Sequence, residues 1–434
     1  MKRRIFDSII SWDKSSDQKA LLLSGAPGVG KTYLALEFAK GFHNSYLYLN
    51  PKNDCKLRNA LLELSVCTTN DFTVFLQNYY GIPAEWFHEF LVIIDDYDYY
   101  GELITLTETV TAEQLSYRLL LVSTLTPTKT LINQCQLINI TPLEFDEYLK
   151  AIGSEWYTDI IQAHFQTKKK IPEIVHTEML NLFRDYLRIG GMPAAVNEYL
   201  HTDNLENVSS IHRNLYHSFQ SQFQRYSESS MIRMNQLSEH LTEQLVKENK
   251  NFRYNLIRKG ATHSMYCTEL NQLIDLHLVN KIERADFVVE NNRTDIVTHD
   301  NQFRLYPLDT GMLYSKIMSE RIEFTDETEE DGTDNISNHL YQLLSEAYLM
   351  QTLSSRQQRP VFWESGSLSK IDFISTFDNR IMPIDIKFFE NKRSKSMHVF
   401  RQKYPVSSYM KFGMHNFEII DNIVTCPIYS LFCL

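Results

Sequence analysis

The stretch Ser24-Gly25-Ala26-Pro27-Gly28-Val29-Gly30-Lys31-Thr32 decides the fold of the first part of the chain. The apolar run Ala20-Leu21-Leu22-Leu23 leads into it, and Tyr33-Leu34-Ala35-Leu36-Glu37-Phe38-Ala39-Lys40 follows with helical spacing. Strand, glycine-rich loop and helix in that order are the setting a phosphate-binding P-loop needs. Gly25, Gly28 and Gly30 permit backbone conformations that a Cβ would obstruct, so successive N–H groups turn towards one anion. The helix beginning near Lys31 adds its positive dipole end at the same place. Lys31 is spaced to reach the β- and γ-phosphates, and the Thr32 hydroxyl to bind Mg²⁺. Gly25, Ala26, Pro27, Gly28, Val29, Gly30, Lys31 and Thr32 are therefore expected to cradle a nucleoside triphosphate, ATP, with Mg²⁺.

Outward from the loop, apolar runs alternate with helical spacing. Tyr46-Leu47-Tyr48-Leu49 ends at Asn50-Pro51, and Phe90-Leu91-Val92-Ile93-Ile94 ends in Asp95-Asp96. Arg118-Leu119-Leu120-Leu121-Val122-Ser123-Thr124 and Leu137-Ile138-Asn139-Ile140 complete the set. Such alternation from about residue 20 to 150 predicts a parallel α/β sheet. A buried strand that delivers a carboxylate beside a P-loop can hold the Mg²⁺ shell, the role expected of Asp95. Asp96 is the candidate for polarising the attacking water, one methylene shorter than the Glu usual there. Ser123 and Thr124 admit two readings: contact with the γ-phosphate or the water, or a satisfied strand-end hydroxyl. Arg118 begins its strand, and is expected at the far end of the sheet.

The bulk properties bound the rest. At 434 residues the chain is long enough for two to four domains. Its 43% hydrophobic and 22% charged content describe a soluble globular protein, and its net charge of −11 argues against a strongly basic nucleic-acid coat. The basic N-terminus, Met1-Lys2-Arg3-Arg4-Ile5-Phe6, lacks a secretory apolar core, and no apolar run has the length of a membrane span. Six scattered cysteines without a CxxC pair read as free thiols. A cytoplasmic location without membrane association is expected.

The remaining chain reads as a helical part from Ile171 to about Ser229, interrupted at Ile189-Gly190-Gly191-Met192-Pro193. Further helices and the strand-like pieces Val279–Glu283 and Phe303-Arg304-Leu305-Tyr306 suggest a winged-helix module. Glu323–Asp334, rich in acids, reads as a linker or exposed loop. Beyond it lie a helix over His339–Leu353, strands at Val361-Phe362-Trp363, Ile371-Asp372-Phe373-Ile374 and Met382–Lys387, a polar helix over Ser396–Tyr404, and a last strand around Val424–Tyr429. The expected division is 1–160, 161–325 and 326–434.

In a strand, Asp385 and Lys387 share a face. A neighbouring strand can bring Asp372 beside Asp385, with Glu346 on the preceding helix. Two carboxylates for Mg²⁺ and a nearby ammonium could activate water for phosphodiester attack. The alternatives are an ordinary half-exposed strand, or a nucleic-acid platform that does not cleave. Lys392, Arg393, Lys395, His398, Arg401 and Lys403, interleaved with Phe388, Phe389, Phe400 and Tyr404, suit either phosphate-backbone contact or a solvated helix face. Lys247, Lys250, Arg253, Arg258 and Lys259 invite the same two readings, with winged-helix docking as the sharper one.

From end to end the chain resembles prokaryotic AAA-type ATPases that carry a C-terminal domain of unknown function similar to PD-(D/E)xK restriction-endonuclease-like folds. The likeness rests on Lys2–Asp7 through Trp12, the P-loop, Thr141-Pro142-Leu143-Glu144-Phe145-Asp146-Glu147-Tyr148 and Tyr186–Val196. It continues through Phe303–Leu313 and Pro383-Ile384-Asp385-Ile386-Lys387 with Ser394-Lys395-Ser396. The resemblance implies an ATPase domain, a winged-helix middle and a nuclease-like end, with Glu346, Asp372, Asp385 and Lys387 matching a PD-(D/E)xK site one by one. Three departures concern hydrolysis: Asp95-Asp96 replaces Asp-Glu, Val122-Ser123-Thr124 replaces Thr-Gly-Ser, and Asn133-Gln134-Cys135-Gln136 stands where many members carry Gly-Arg. Lys370 stands where relatives usually carry Glu beside Asp372. Two functions follow as expectations: an ATPase coupled to a DNA-binding or DNA-cleaving end, or an ATP-gated signalling or scaffold protein. In the second, the output is a protein partner or an ATP-dependent homo-oligomer and the nuclease-like domain is inactive.

Overall fold

The computed structural model describes residues 3–64, 68–290, 293–322, 334–365, 369–377, 380–388, 395–404, 406, 409–420 and 423–434. Residues 323–333 of the expected linker, and Phe389, Lys392 and Arg393 of the basic stretch, lie outside them. The chain forms two compact units. The first is Met1–Thr141 with Asp275–His277, and the second is Pro142–Ile274 with Leu278–Leu434.

In the first unit the apolar runs form β1 (Leu21–Ser24), β2 (Tyr46–Leu49), β3 (Leu91–Asp95), β4 (Arg118–Ser123) and β5 (Gln136–Asn139). Their order is β2-β3-β4-β1-β5, with every pairing parallel. Strands buried on both faces need continuous apolar sequence, and β1 and β3 are buried throughout. One face packs Leu22, Val92, Ile94, Leu119 and Leu121 with Phe72 and Phe87. Ser24 is in register with Ser123 and Asn139, and Asp95 with Val122, so the carboxyl ends of β1, β3 and β4 share one edge. Ligands of open parallel sheets bind at that edge. Arg118 lies at the opposite end, as its place at the start of β4 requires. It donates to the carbonyls of Asp13, Ser15 and Asp17.

The second unit is built on a mixed sheet of eight strands: β6 (Val279–Glu290), β7 (Arg293–Pro307), β8 (Val361–Ser365), β9 (Ser369–Phe377), β10 (Arg380–Lys387), β11 (Tyr409–Gly413), β12 (Glu418–Ile420) and β13 (Ile423–Pro427). Their order is β12-β13-β11-β10-β9-β8-β6-β7. The hairpin β6–β7 is longer than the short pieces expected, and it is not a separate wing. β6 pairs with β8 in parallel, Glu283 opposite Val361, so the hairpin and the C-terminal strands share one sheet. Trp363, Phe400, Ile371, Ile374 and Phe287 pack together in its core.

The two stretches Gly190-Gly191 and Asp309-Thr310-Gly311 pack against one another. Gly191 N–H donates to Asp309 Oδ2 at 2.6 Å, and Met312 N–H to Asp309 Oδ1 at 3.0 Å. A Cβ on Gly191 would lie 2.1 Å from the carbonyl oxygen of Leu143, and one on Gly311 would lie 2.2 Å from that of Ile189. Burial pushes the Asp309 carboxyl up to about 6 against these amide donors.

Candidate functional site

The loop between β1 and the helix Lys31–Phe42 wraps at the carboxyl edge of the parallel sheet. Gly25 runs so close to the chain beyond β5 that a Cβ there would lie 2.1 Å from the carbonyl oxygen of Ile140. Arg3, only 6% exposed, braces the loop by donating to the carbonyls of Val29 at 3.1 Å and Thr141 at 2.7 Å. The Lys31 ammonium folds back onto the loop and donates to the carbonyls of Gly25 at 2.7 Å and Ala26 at 2.8 Å. Burial lowers its pKa to about 8, although Asp98, Asp96 and Asp95 all act to raise it.

The strand-end acids meet this loop. Thr32 Oγ1 donates to Asp95 Oδ2 at 2.8 Å, and the Tyr48 hydroxyl donates to the same oxygen at 2.7 Å. Burial raises the Asp95 pKa, against these two hydrogen bonds. Asp96 has φ 52°, a left-handed conformation that Asp tolerates better than most residues. Its carboxylate is held by Asn50 Nδ2 at 3.5 Å and faces Lys52 Nζ at 3.9 Å.

Two contributors escape a reading of the sequence. Asp98, inside the tyrosine-rich stretch Tyr97-Asp98-Tyr99-Tyr100, is 4% exposed. Its Oδ2 accepts from the amides of Thr124 at 3.2 Å and Leu125 at 2.8 Å, and so fixes the end of β4. The signal for it was an acid three residues after a strand-end aspartate. The second is His277, which the chain brings in on the three-residue excursion Asp275–His277. Its Nε2 lies 3.0 Å from Ser24 Oγ, and the Thr126 amide anchors the excursion by donating to the Asp275 carbonyl at 2.7 Å. Because Ser24 Oγ donates to the Leu125 carbonyl at 3.1 Å, the ring N–H supplies the proton of the Ser24 contact. Burial, and then the Lys31 charge, lower the His277 pKa to about 4. The ring is therefore neutral at physiological pH. No local motif announces a histidine so far from the loop.

In the second unit Glu346, Asp372, Asp385 and Lys387 fall in one cluster with Glu364, and cations sit among them. Arg304, 3% exposed, donates to Asp372 Oδ1 at 2.7 Å, Glu364 Oε1 at 3.0 Å and Asn251 Oδ1 at 3.2 Å. Lys250 Nζ donates to Glu346 Oε2 at 2.5 Å, and Lys387 Nζ lies 3.3 Å from Asp385 Oδ1. Burial alone would raise the Asp372 pKa, but Arg304, Lys250 and Lys370 together hold it well below the usual carboxylate range. Burial raises the Asp385 carboxyl. Among the described residues no group of three or more His, Cys, Asp or Glu side chains is disposed to hold a metal ion.

Two of the aromatic residues interleaved with the basic stretch, Phe388 and Phe400, are core. Phe388 is 5% exposed and Phe400 is fully buried. Phe400 packs on Trp363 and Tyr404. Lys403 donates to Ser365 Oγ at 2.9 Å, whereas His398 and Arg401 are exposed.

The five-stranded order and the glycine-rich loop define the first unit as a P-loop NTPase domain. Residues 180–321 match a family described as Domain of unknown function (DUF8612), and residues 342–431 match Domain of unknown function (DUF4143). None of the curated proteins compared with the chain matches it. Among solved structures, it is similar to a Walker-type ATPase of Pyrococcus abyssi, at 13% identity and a TM-score of 0.42, over 73% of this chain and 95% of that one. It is also similar to a Signal Transduction ATPase with Numerous Domains (STAND) protein with a tetratricopeptide repeat sensor from Pyrococcus horikoshii. That likeness has 14% identity and a TM-score of 0.29, over 82% of this chain and 45% of that one. Among the described residues no helix is long and apolar enough to cross a membrane.

Proposed function

We propose that the chain is an ATP-binding, ATP-hydrolysing protein of the AAA type. The observation that carries this reading is the position of Lys31, buried on the loop with its ammonium hydrogen-bonded to the neutral carbonyls of Gly25 and Ala26. Phosphate oxygens are stronger acceptors for an ammonium than amide carbonyls, so Lys31 exchanges one set for the other when nucleotide enters. The loop amides from Gly25 to Thr32 and the helix start at Lys31 complete the anion cradle. Thr32 and Asp95, whose oxygens already lie 2.8 Å apart, would hold Mg²⁺. The ion would neutralise charge on the β- and γ-phosphates. Mg²⁺ takes few protein ligands and keeps several waters, so one hydroxyl and one carboxylate suit it. Asp96 orients the attacking water, and Thr124, on an amide that Asp98 fixes, contacts the γ-phosphate end. Titration of a fluorescent ATP analogue tests this reading: saturable Mg²⁺-dependent binding is expected, with its loss in Lys31→Ala. Unchanged affinity in that variant would refute it.

A second observation favours a gated switch over a freely turning motor. The chain enters the first unit at Asp275, places His277 on Ser24 immediately before the P-loop, and leaves again. Nucleotide in the loop is then felt by a segment covalently continuous with the second unit, which serves as the output. Association of that output with DNA rests on the exposed His398 and Arg401. A mobility-shift assay across a salt series tests it, and absence of affinity at low salt would leave a protein partner or a homo-oligomer as the output.

A further inference from the structure

The resemblance of the C-terminal part to PD-(D/E)xK folds invites a search for a divalent cation at Glu346, Asp372 and Asp385. We propose instead that Arg304 and Lys250 stand in for that cation, so that the cluster is a permanent ion-pair centre that binds no metal.

The carboxylates are already engaged. Asp372 Oδ1 accepts from Arg304, and Glu346 Oε2 accepts from Lys250 and, at 3.3 Å, from the Tyr306 hydroxyl. Glu346 Oε1 accepts from Gln342 Nε2 at 2.9 Å. Gln342 is itself fixed, donating to the Ile386 carbonyl at 2.8 Å and accepting from Phe388 N–H at 2.8 Å. Asp385 Oδ2 is the buried carboxylate oxygen of this group that has no hydrogen-bond partner. A Mg²⁺ or Mn²⁺ site takes a set of oxygen donors in near-octahedral array, and among the described residues no group of three or more acids, His or Cys is disposed to hold a metal ion. A metal would first have to displace Arg304, whose guanidinium also stacks 4.1 Å from the centre of the Phe362 ring. Expelling it would leave a buried guanidinium without partners. Electrostatic attraction for a divalent cation is also weakened, because three cations (Arg304, Lys250, Lys387) already face the carboxylates of Glu346, Glu364, Asp372 and Asp385. The cluster instead ties β7, through Arg304 and Tyr306, to β8, β9 and the helix Asp334–Ser355. Electrostatics thus hold the base of the hairpin to the sheet that it joins.

The test uses the full chain without nucleotide, so that it stands apart from the P-loop reading. Mn²⁺ uptake, followed by the paramagnetic resonance of the free ion, is expected to be the same in the wild type, Asp372→Asn and Asp385→Asn. A Mn²⁺ equivalent present in the wild type and absent from Asp385→Asn overturns the proposal, as does Mn²⁺-dependent plasmid nicking that the same substitution removes. Urea denaturation of Arg304→Met, Asp372→Asn and the double variant gives the second readout. Strong non-additivity is expected, the double variant being more stable than the sum of its parts. Strict additivity overturns the structural role. If Arg304→Met does not fold, the cycle is run with Arg304→Lys, for which the same two outcomes apply.

Discussion

Lys31 in the first unit and Arg304 in the second both lie near strand-borne acids, yet their surroundings prepare them for opposite fates. Lys31 is held by neutral carbonyls, and Asp95 by the neutral hydroxyls of Thr32 and Tyr48. Each group has neutral partners that remain replaceable, so a polyanion with its counter-cation can enter. Arg304 and Asp372 hold each other, in a cluster whose other carboxylates have Lys250 and Lys387 as partners. A buried cluster whose charges are mostly paired internally has little charge to offer a ligand, and breaking it is costly. Clustered acids and a basic residue are thus insufficient evidence of a reactive centre. What holds them matters more.

Four perturbations bear on this contrast, in descending order of expected effect. Arg304→Met leaves Asp372 and Glu364 without their guanidinium and is expected to cost about 3–5 kcal/mol of stability, read by urea unfolding. A cost below about 1 kcal/mol would place the two regions on the same footing. Asp96→Ala is expected to lower ATP turnover about 10²–10³-fold with little change in nucleotide affinity. Unchanged turnover would assign the water to another group. Lys31→Ala removes a charge-assisted contact worth about 2–3 kcal/mol, so ATP affinity should fall by roughly 30- to 150-fold, measured by calorimetry.

The smallest effect concerns His277. Its folded pKa, about 4, lies below the ordinary value near 6.5. Above the ordinary value both folded and unfolded chains carry a neutral ring, and the Ser24 contact stabilises fully. As the pH falls from about 6.5 towards 4, the unfolded chain takes up a proton that the folded chain refuses, and stability is lost across that window. His212, lowered to about 4 by burial, contributes in the same direction. His277→Asn should therefore remove only part of the acid slope of the melting temperature, and cost about 1 kcal/mol at neutral pH for the lost hydrogen bond. An unaltered slope would detach His277 from the loop.

The first unit is the more legible half in sequence terms. Its central strands β1, β3 and β4 are apolar runs that end in the polar residues Ser24, Asp95 and Ser123 at the edge, and the P-loop is a contiguous motif whose geometry is local. Tyr48 was visible only as a strand residue, and its bond to Asp95 required β2 to lie beside β3. The second unit was less legible. Apolar periodicity located β8, β9 and β10, but β11 and β12 went unread, and nothing in the periodicity of β6 says that it pairs with β8. Strand pairing is a choice among edges, made by packing over long sequence separations. Gly190-Gly191 and Asp309-Thr310-Gly311 were conspicuous as motifs, whereas their mutual contact was not.

By itself the sequence determined an anion cradle from Gly25 to Thr32, an acid pair at the end of the third apolar run, and a set of acids and a lysine near the end of the chain. These follow from short-range rules: periodicity, glycine spacing and the alternation of side chains along a strand. Only the tertiary structure decided what each charge faces. Lys31 meets carbonyls a few residues away in its own loop, but His277 reaches Ser24 and Arg304 reaches Asp372 through folds that bring distant segments together. Electrostatic interaction depends on distance and burial rather than on order along the chain, so the same residue types give a receptive site in one unit and a neutralised one in the other.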